Sequence, residues 1–172
     1  MQDPAREISA VVKMLTTAPS ATIQQTALAR YYTSDAAFRH PICTVPSAHR
    51  SRDSILAIYQ WYRVMSPKIE MDIRSVVYDS ENHVLFVDCA QKFHIRFSPF
   101  RPVPARLLVR LTLREENDLW YVCQQEDFYH PEDFVALLVP PLIPPIRFAL
   151  RAATFASYLG TRSAQLVFGQ WQ

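Results

Sequence analysis

The stretch Trp120–Asp133, WYVCQQEDFYHPED, changes within four residues from an apolar run to amides and carboxylates. In a strand, alternate residues face the same side, so Gln124 and Glu126 share the face of Trp120, and Gln125 and Asp127 share the opposite one. The preceding segment, LLVRLTL, places Leu107, Val109, Leu111 and Leu113 on one uninterrupted apolar face. With a loop over residues 115–118 that pairs Arg114 with Leu119, Val109 stands opposite Gln124 and Leu107 opposite Glu126. That register turns Gln124 and Glu126 into the apolar interior. A loop one residue longer or shorter puts Gln125 and Asp127 there instead.

A second run, HVLFVDCAQKFHIRF, sets Leu85, Val87, Cys89, Phe93, Ile95 and Phe97 on one face, with Gln91 as its amide. Amides and a carboxyl on apolar walls need hydrogen-bond partners, because an unpaired buried polar group costs roughly 1–3 kcal/mol. A carboxylic acid in such surroundings has its pKa raised towards neutrality, which suits a general acid or base. Asp88 falls on the opposite face of its strand, and His130 precedes a proline at an expected helix start.

The elements that position these groups follow from pattern. Apolar residues recur at helical spacing over Pro4–Leu15 and Ala21–Tyr32, with Ser20 or Thr22 available as a cap for the second. The segment DAAFRHPICTV reads as a short edge strand or bent loop interrupted by Pro41. A third helix follows in SRDSILAIYQWYRVMSP, with Ile55, Ile58, Tyr59 and Tyr62 along one stripe and Pro67 as its stop. Four alternating segments then form an antiparallel meander, KIEMDIRSVVYD, HVLFVDCAQKFHIRF, RLLVRLTLRE and LWYVCQQEDFY. Helices followed by a strongly bent sheet make an α+β cone, which encloses a pocket.

Composition narrows the chemistry. A chain of 172 residues fits one compact domain, and a net charge of +2 gives no electrostatic footprint for nucleic acid. The three cysteines, Cys43, Cys89 and Cys123, have neither CxxC nor CxH spacing, so they read as buried thiols in a reducing compartment. The amino-terminal residues lack a cationic segment followed by an apolar one, so no secretory signal is expected and a cytoplasmic location is. The two glycines, Gly160 and Gly169, are both late in the chain, which rules out GxGxxG, GxxxxGK[ST] and GxSxG turns. Activity without a metal or other cofactor, from side chains lining a cavity, is the expectation.

The order of two helices, FRHPICTV, SILAIYQWYRVMSP and four strands ending in LWYVCQQEDFYHPEDFV resembles the NTF2-like (SnoaL-like) superfamily, and within it the fungal SigF-like branch. FRHP, QKFHIRFSPF and QQEDFYHPED carry the resemblance. It implies an α+β cone of three N-terminal helices against a curved antiparallel sheet over residues 1–133, one deep apolar pocket, and in many members a homodimer through the sheet. It also implies cofactor-free isomerase, cyclase, dehydratase or epoxide-opening chemistry, or non-catalytic binding. Carried onto this chain, the late-strand acid is Glu126 and the early cation Arg39, with His40 beside it. Gln91, Phe93, Gln124, Tyr59 and Tyr62 would orient a small apolar, polycyclic or polyketide-like molecule of secondary metabolism.

Residues 134–172 form an apolar extension broken by Pro140, Pro141, Pro144 and Pro145 and carrying Arg147, Arg151 and Arg162. These helices are expected to pack on the same domain as a lid, to serve as a dimer arm, or to lie on an anionic membrane surface. A spanning helix is not expected, because the prolines interrupt the apolar run.

Overall fold

The computed structural model describes residues 1–169. Two helices come first, α1 (Pro4–Thr16) and α2 (Ala21–Tyr31). Asp3 caps α1 by accepting from the Arg6 N–H, and Ser20 caps α2 by accepting from the Ile23 N–H. Leu15, at the end of α1, presents its carbonyl to the buried Gln24 amide at 2.6 Å, which ties the two helices together.

The chain then enters β1 (Tyr32–His40) and, after the turn at Pro41, the short β2 (Cys43–Val45). Helix α3 (Ser51–Met65) follows, then β3 (Lys68–Asp79), β4 (Val84–His94), β5 (Ala105–Glu116) and β6 (Leu119–Phe128). The six strands form one curved open sheet in the order β2-β1-β6-β5-β4-β3. The meander β3 to β6 is antiparallel as expected. β1, however, runs parallel to β6, which the chain can arrange because α3 and four strands separate the two in sequence.

The β1–β6 ladder shifts register between Tyr32 and Ala37, and two further irregularities are single-residue bulges in the meander. The β3–β4 ladder shifts between Ile73 and Ser75, and the β5–β6 ladder shifts between Thr112 and Leu113. Each accommodates one extra residue and increases the local twist. The β5–β6 turn is also tighter than the loop expected over residues 115–118. Glu116 pairs with Leu119, leaving Asn117 and Asp118 as a two-residue turn with φ of 52° and 61°. Asn and Asp tolerate that left-handed conformation, which suits a primed hairpin turn.

The core lies between the concave face of the sheet and the three helices. Ile8, Val11, Leu15, Leu28 and Ile55 meet Phe38, Leu85, Val87, Leu111 and Val122 there, all fully or almost fully buried. Ile55, Tyr59 and Tyr62 follow one another at spacings of four and three on α3, so the residue that anchors the helix lies on the face that carries the two tyrosines.

Beyond β6, α4 (Pro131–Leu138) and a 3-10 turn (Pro140–Leu142) lead into α5 (Ile143–Phe168). His130 occupies the position just before Pro131 at the start of α4 and makes no side-chain cap. α4 packs on the ends of β4 and β5, and the Arg106 N–H donates to Asp133 Oδ1 at 2.9 Å. Of α5, Ile143 packs against the buried cluster around Ile69 and Phe93. None of the helix's 26 residues is buried. No helix among the described residues is long and apolar enough to cross a membrane.

Ile55→Ala removes the fully buried anchor of α3 and should cost about 2–5 kcal/mol. Urea unfolding should show a lower midpoint with an unchanged slope.

Candidate active site

The pocket opens at one end of the sheet. Its walls come from α3 (Tyr59, Tyr62, Met65), β3 (Ile69, Met71), β4 (Cys89, Gln91, Phe93), β5 (Leu107, Val109, Leu111) and β6 (Gln125, Asp127). Val12, Leu15 and Thr16 of α1, Tyr32 and His40 of β1, Ile42, and Tyr129, Phe134, Leu137 and Leu138 line it as well.

The extra residue in β6 decides which polar groups enter. Leu113 pairs with Val122, but Thr112 pairs with Gln124, so Cys123 is the inserted residue. The tighter hairpin moves the pairing by two positions and keeps the alternation. The bulge adds one and reverses it. Leu111 therefore faces Gln125, and Val109 faces Asp127.

This corrects three of the sequence expectations. Gln124, beside Thr112 and Ala37, does not line the pocket. Glu126 lies on the convex side, where its Oε2 accepts from Arg110 Nη1 at 2.7 Å and its Oε1 lies 3.7 Å from Arg39 Nη1. Arg39 is on that same side, with 77% of its side chain exposed. Glu126 and Arg39 do meet, but as an outer-face ion cluster. Asp88 is likewise held outside by Arg106, at 2.8 Å. Phe97 is expelled from the β4 face into the following loop, where it is 94% exposed with φ of 67°.

His40, Tyr59, Tyr62, Gln91 and Phe93 all line the pocket. Sequence reasoning gave Gln125 and Asp127 only as the alternative register, and it missed Tyr32, Tyr129 and Phe134 altogether. Tyr129 had a usable signal, since it lies two residues beyond Asp127 on the same alternation.

The inward polar groups form a directed network. Tyr32 Oη and Tyr59 Oη both donate to Gln125 Oε1, at 2.6 and 3.0 Å. With its oxygen so engaged, the amide turns its nitrogen to Asp127 and donates to Oδ1 at 2.9 Å. That is the only hydrogen bond to the Asp127 carboxyl among the described residues. Burial raises the Asp127 pKa to about 7 against the lowering effect of the Gln125 hydrogen bond. The pocket therefore holds a carboxyl poised between its two forms near neutral pH.

His40 is shifted the other way. It is buried, stacked on Phe38, and surrounded by Tyr62, Tyr129 and Phe134 at ring distances of 5.9, 5.4 and 6.0 Å. Burial lowers its pKa to about 4, so the ring is neutral at physiological pH. The Ile42 N–H donates to Nδ1 at 3.4 Å, which assigns the ring proton to Nε2. Gln91 Nε2 donates to Tyr129 Oη. Burial holds the Tyr129 pKa well above the ordinary range, so the phenol stays protonated and its O–H is available as a donor.

The cavity has a volume of about 50 Å3, room for a few waters at about 10–15 Å3 each. Among the described residues no group of His, Cys, Asp and Glu stands together as a metal site.

Comparison with known proteins agrees with this fold. The SigF NTF2-like domain matches residues 1–169. A hypothetical protein from Catenulispora acidiphila with a ketosteroid isomerase-like fold, in complex with trimethylamine, superposes with a TM-score of 0.57 at 15% identity, covering 76% of this chain and 89% of that one. An NTF2-like protein from Anabaena variabilis gives 0.57 at 11% identity, covering 75% and 90%. A SnoaL-like family protein from Agrobacterium tumefaciens, named as a proposed isomerase, gives 0.56 at 11% identity, covering 73% and 97%. At these identities the likeness is one of fold. No curated protein matches the chain.

The two shifted groups act on stability with opposite sign. Asp127, raised in the folded state, contributes stability at low pH that is lost as pH climbs from about 4 to about 7. His40, depressed in the folded state, contributes stability above its unfolded pKa of about 6.5 that is lost as pH falls towards about 4. The wild type should therefore show a shallow pH dependence between pH 4 and 7. Asp127→Asn should make stability rise with pH across that window, and His40→Gln should make it fall. Urea midpoints at each pH unit check both signs.

Proposed function

The chain belongs to the SigF NTF2-like domain family, and given that membership we propose that it is a cofactor-independent isomerase or cyclase acting by acid–base chemistry on a small apolar carbonyl compound. Secondary-metabolite biosynthesis is the setting that the sequence resemblance implies for it. The observation that carries the reading is Asp127. It is a carboxyl with a pKa of about 7, oriented through one oxygen by Gln125 and facing an aromatic pocket with the other side chains satisfied around it. A general base works best when its pKa lies near the operating pH, and such a group contributes typically 10²–10⁴-fold.

In this mechanism the Asp127 carboxylate removes a proton from the carbon beside the substrate carbonyl. Charge then builds on the carbonyl oxygen, where the Tyr129 O–H and the His40 Nε2–H donate hydrogen bonds. Neutral donors suit this task, because they strengthen as the oxyanion forms and need no proton of their own to leave. Asp127, now protonated, returns the proton to a different carbon, which shifts the double bond and regenerates the carboxylate. In a cyclisation the enolate carbon would instead attack a second carbonyl of the same molecule, with Asp127 giving its proton to the new alkoxide. Tyr32 and Tyr59 hold Gln125, and Phe93 and Tyr62 shape the apolar wall.

Native mass spectrometry with organic extraction of the purified protein identifies the class of molecule held. That molecule, incubated with the protein in D₂O, should take up deuterium beside its carbonyl. Asp127→Asn should slow the exchange at least a hundredfold, while Glu126→Gln should leave it within about twofold, because Glu126 is on the outer face. Equal exchange by wild type and Asp127→Asn would defeat the reading. A lipid or other molecule recovered and released unchanged by every variant would favour a binding module instead.

A further inference from the structure

We propose that α5 is an interfacial helix that lies on an anionic phospholipid surface and brings the mouth of the pocket to it. Helix α5 is 26 residues long, or about 39 Å at 1.5 Å per residue, and buries none of them. Phe148, Ala152, Phe155, Leu159 and Leu166 fall at spacings of four, three, four and seven, which aligns them in one stripe. Phe148 is 75% exposed, and Phe155, Leu159 and Leu166 are exposed as well. Arg151 and Arg162 border the stripe, and Arg147 stands one turn from Arg151. Arginines in those places can lay their stems along apolar surface with the guanidinium at headgroup level.

Charge selects the occupant. Residues 134–172 contain three arginines and no aspartate or glutamate. A second copy of the helix would offer these arginines no acid along its length, whereas an anionic lipid surface offers one at every headgroup. Each basic residue near such a surface strengthens partitioning about fivefold.

The same end of the molecule carries further matching features. Ile42, which lines the pocket, is 58% exposed. Ile143, the first residue of α5, packs in one small cluster with Ile95 and Val103, which bracket the loop that exposes Phe97 and Phe100 beside Arg96 and Arg101. Leu137 and Leu138 of α4 line the pocket and belong to that cluster too. An apolar molecule dissolved in the bilayer would thus meet the pocket without crossing water. Of the acids on β3 and α4, Glu70 pairs with Lys68, Lys92 and His94, Asp133 accepts from the Arg106 N–H, and Glu132 makes no ion pair among the described residues.

Flotation of the full chain with vesicles tests this. Vesicles of phosphatidylcholine with about 30% phosphatidylserine should carry the protein upward, and pure phosphatidylcholine vesicles should bind at least tenfold more weakly. The triple substitution Arg147→Glu, Arg151→Glu, Arg162→Glu should lose at least tenfold, as should Phe148→Ser with Phe155→Ser, with the far-ultraviolet circular dichroism of both variants retained. Asp127→Asn should bind like the wild type, so that failure of the catalytic reading and failure of this one are separable. Binding to neither vesicle, equal binding to both, or a dimer in sedimentation velocity that the same substitutions dissociate would overturn the proposal.

Discussion

Between the Leu113–Val122 and Thr112–Gln124 pairs, the β5–β6 ladder takes up one unpaired residue, Cys123, and every side chain beyond it on β6 changes face. Gln125, Asp127 and Tyr129 come to the pocket, while Gln124 and Glu126 go to the convex side. A regular strand would have delivered Glu126 to the interior and left Arg110 without its partner. Parallel pairing with β1 reinforces the choice, because Phe38 aligns with Gln125 and Arg39 with Glu126. The two arginines that hold Glu126 thus flank it from both neighbouring strands. The bulge is sustained from both sides, by a charge cluster outside and a hydrogen-bonded network within.

The inner network has a hierarchy. Two tyrosines on separate elements, Tyr32 at the start of β1 and Tyr59 on α3, converge on a single amide oxygen. Leaving any of these buried groups without a partner would cost roughly 1–3 kcal/mol, so the amide orientation is fixed before any ligand arrives. Its nitrogen is then committed to Asp127. Helix α3 consequently does two jobs with one stripe, anchoring through Ile55 and orienting the acid through Tyr59. The chemistry at Asp127 is thereby tied to the packing of the core.

Much of this was legible in the residues. Apolar spacing marked α1, α2 and α3, partial or full alternation marked β3 to β6, and Tyr59, Tyr62, Gln91 and Phe93 lay on the faces that now line the pocket. Pro41, Pro140 and Pro141 marked real interruptions, while Pro144 and Pro145 sit in the first turn of α5. The acid was misplaced because a bulge depends on tertiary pairing, and nothing in YVCQQED distinguishes a regular strand from one with an unpaired cysteine. The parallel β1–β6 contact was also invisible, since it joins residues about ninety positions apart that no local pattern connects. α5 followed its helical pattern, and beyond Ile143 its apolar stripe is exposed.

The central claim is that Asp127, not Glu126, is the pocket carboxyl whose ionisation falls near neutrality. Titrating the side-chain carboxyl carbons by ¹³C NMR, with Asp127→Asn and Glu126→Gln used for assignment, measures it directly. The structure predicts a resonance with a midpoint near pH 7 that vanishes in Asp127→Asn and persists in Glu126→Gln. An Asp127 midpoint near pH 4, the ordinary value for a solvated aspartate, would mean that the carboxyl faces water and that the register described for β6 is not the one the protein adopts.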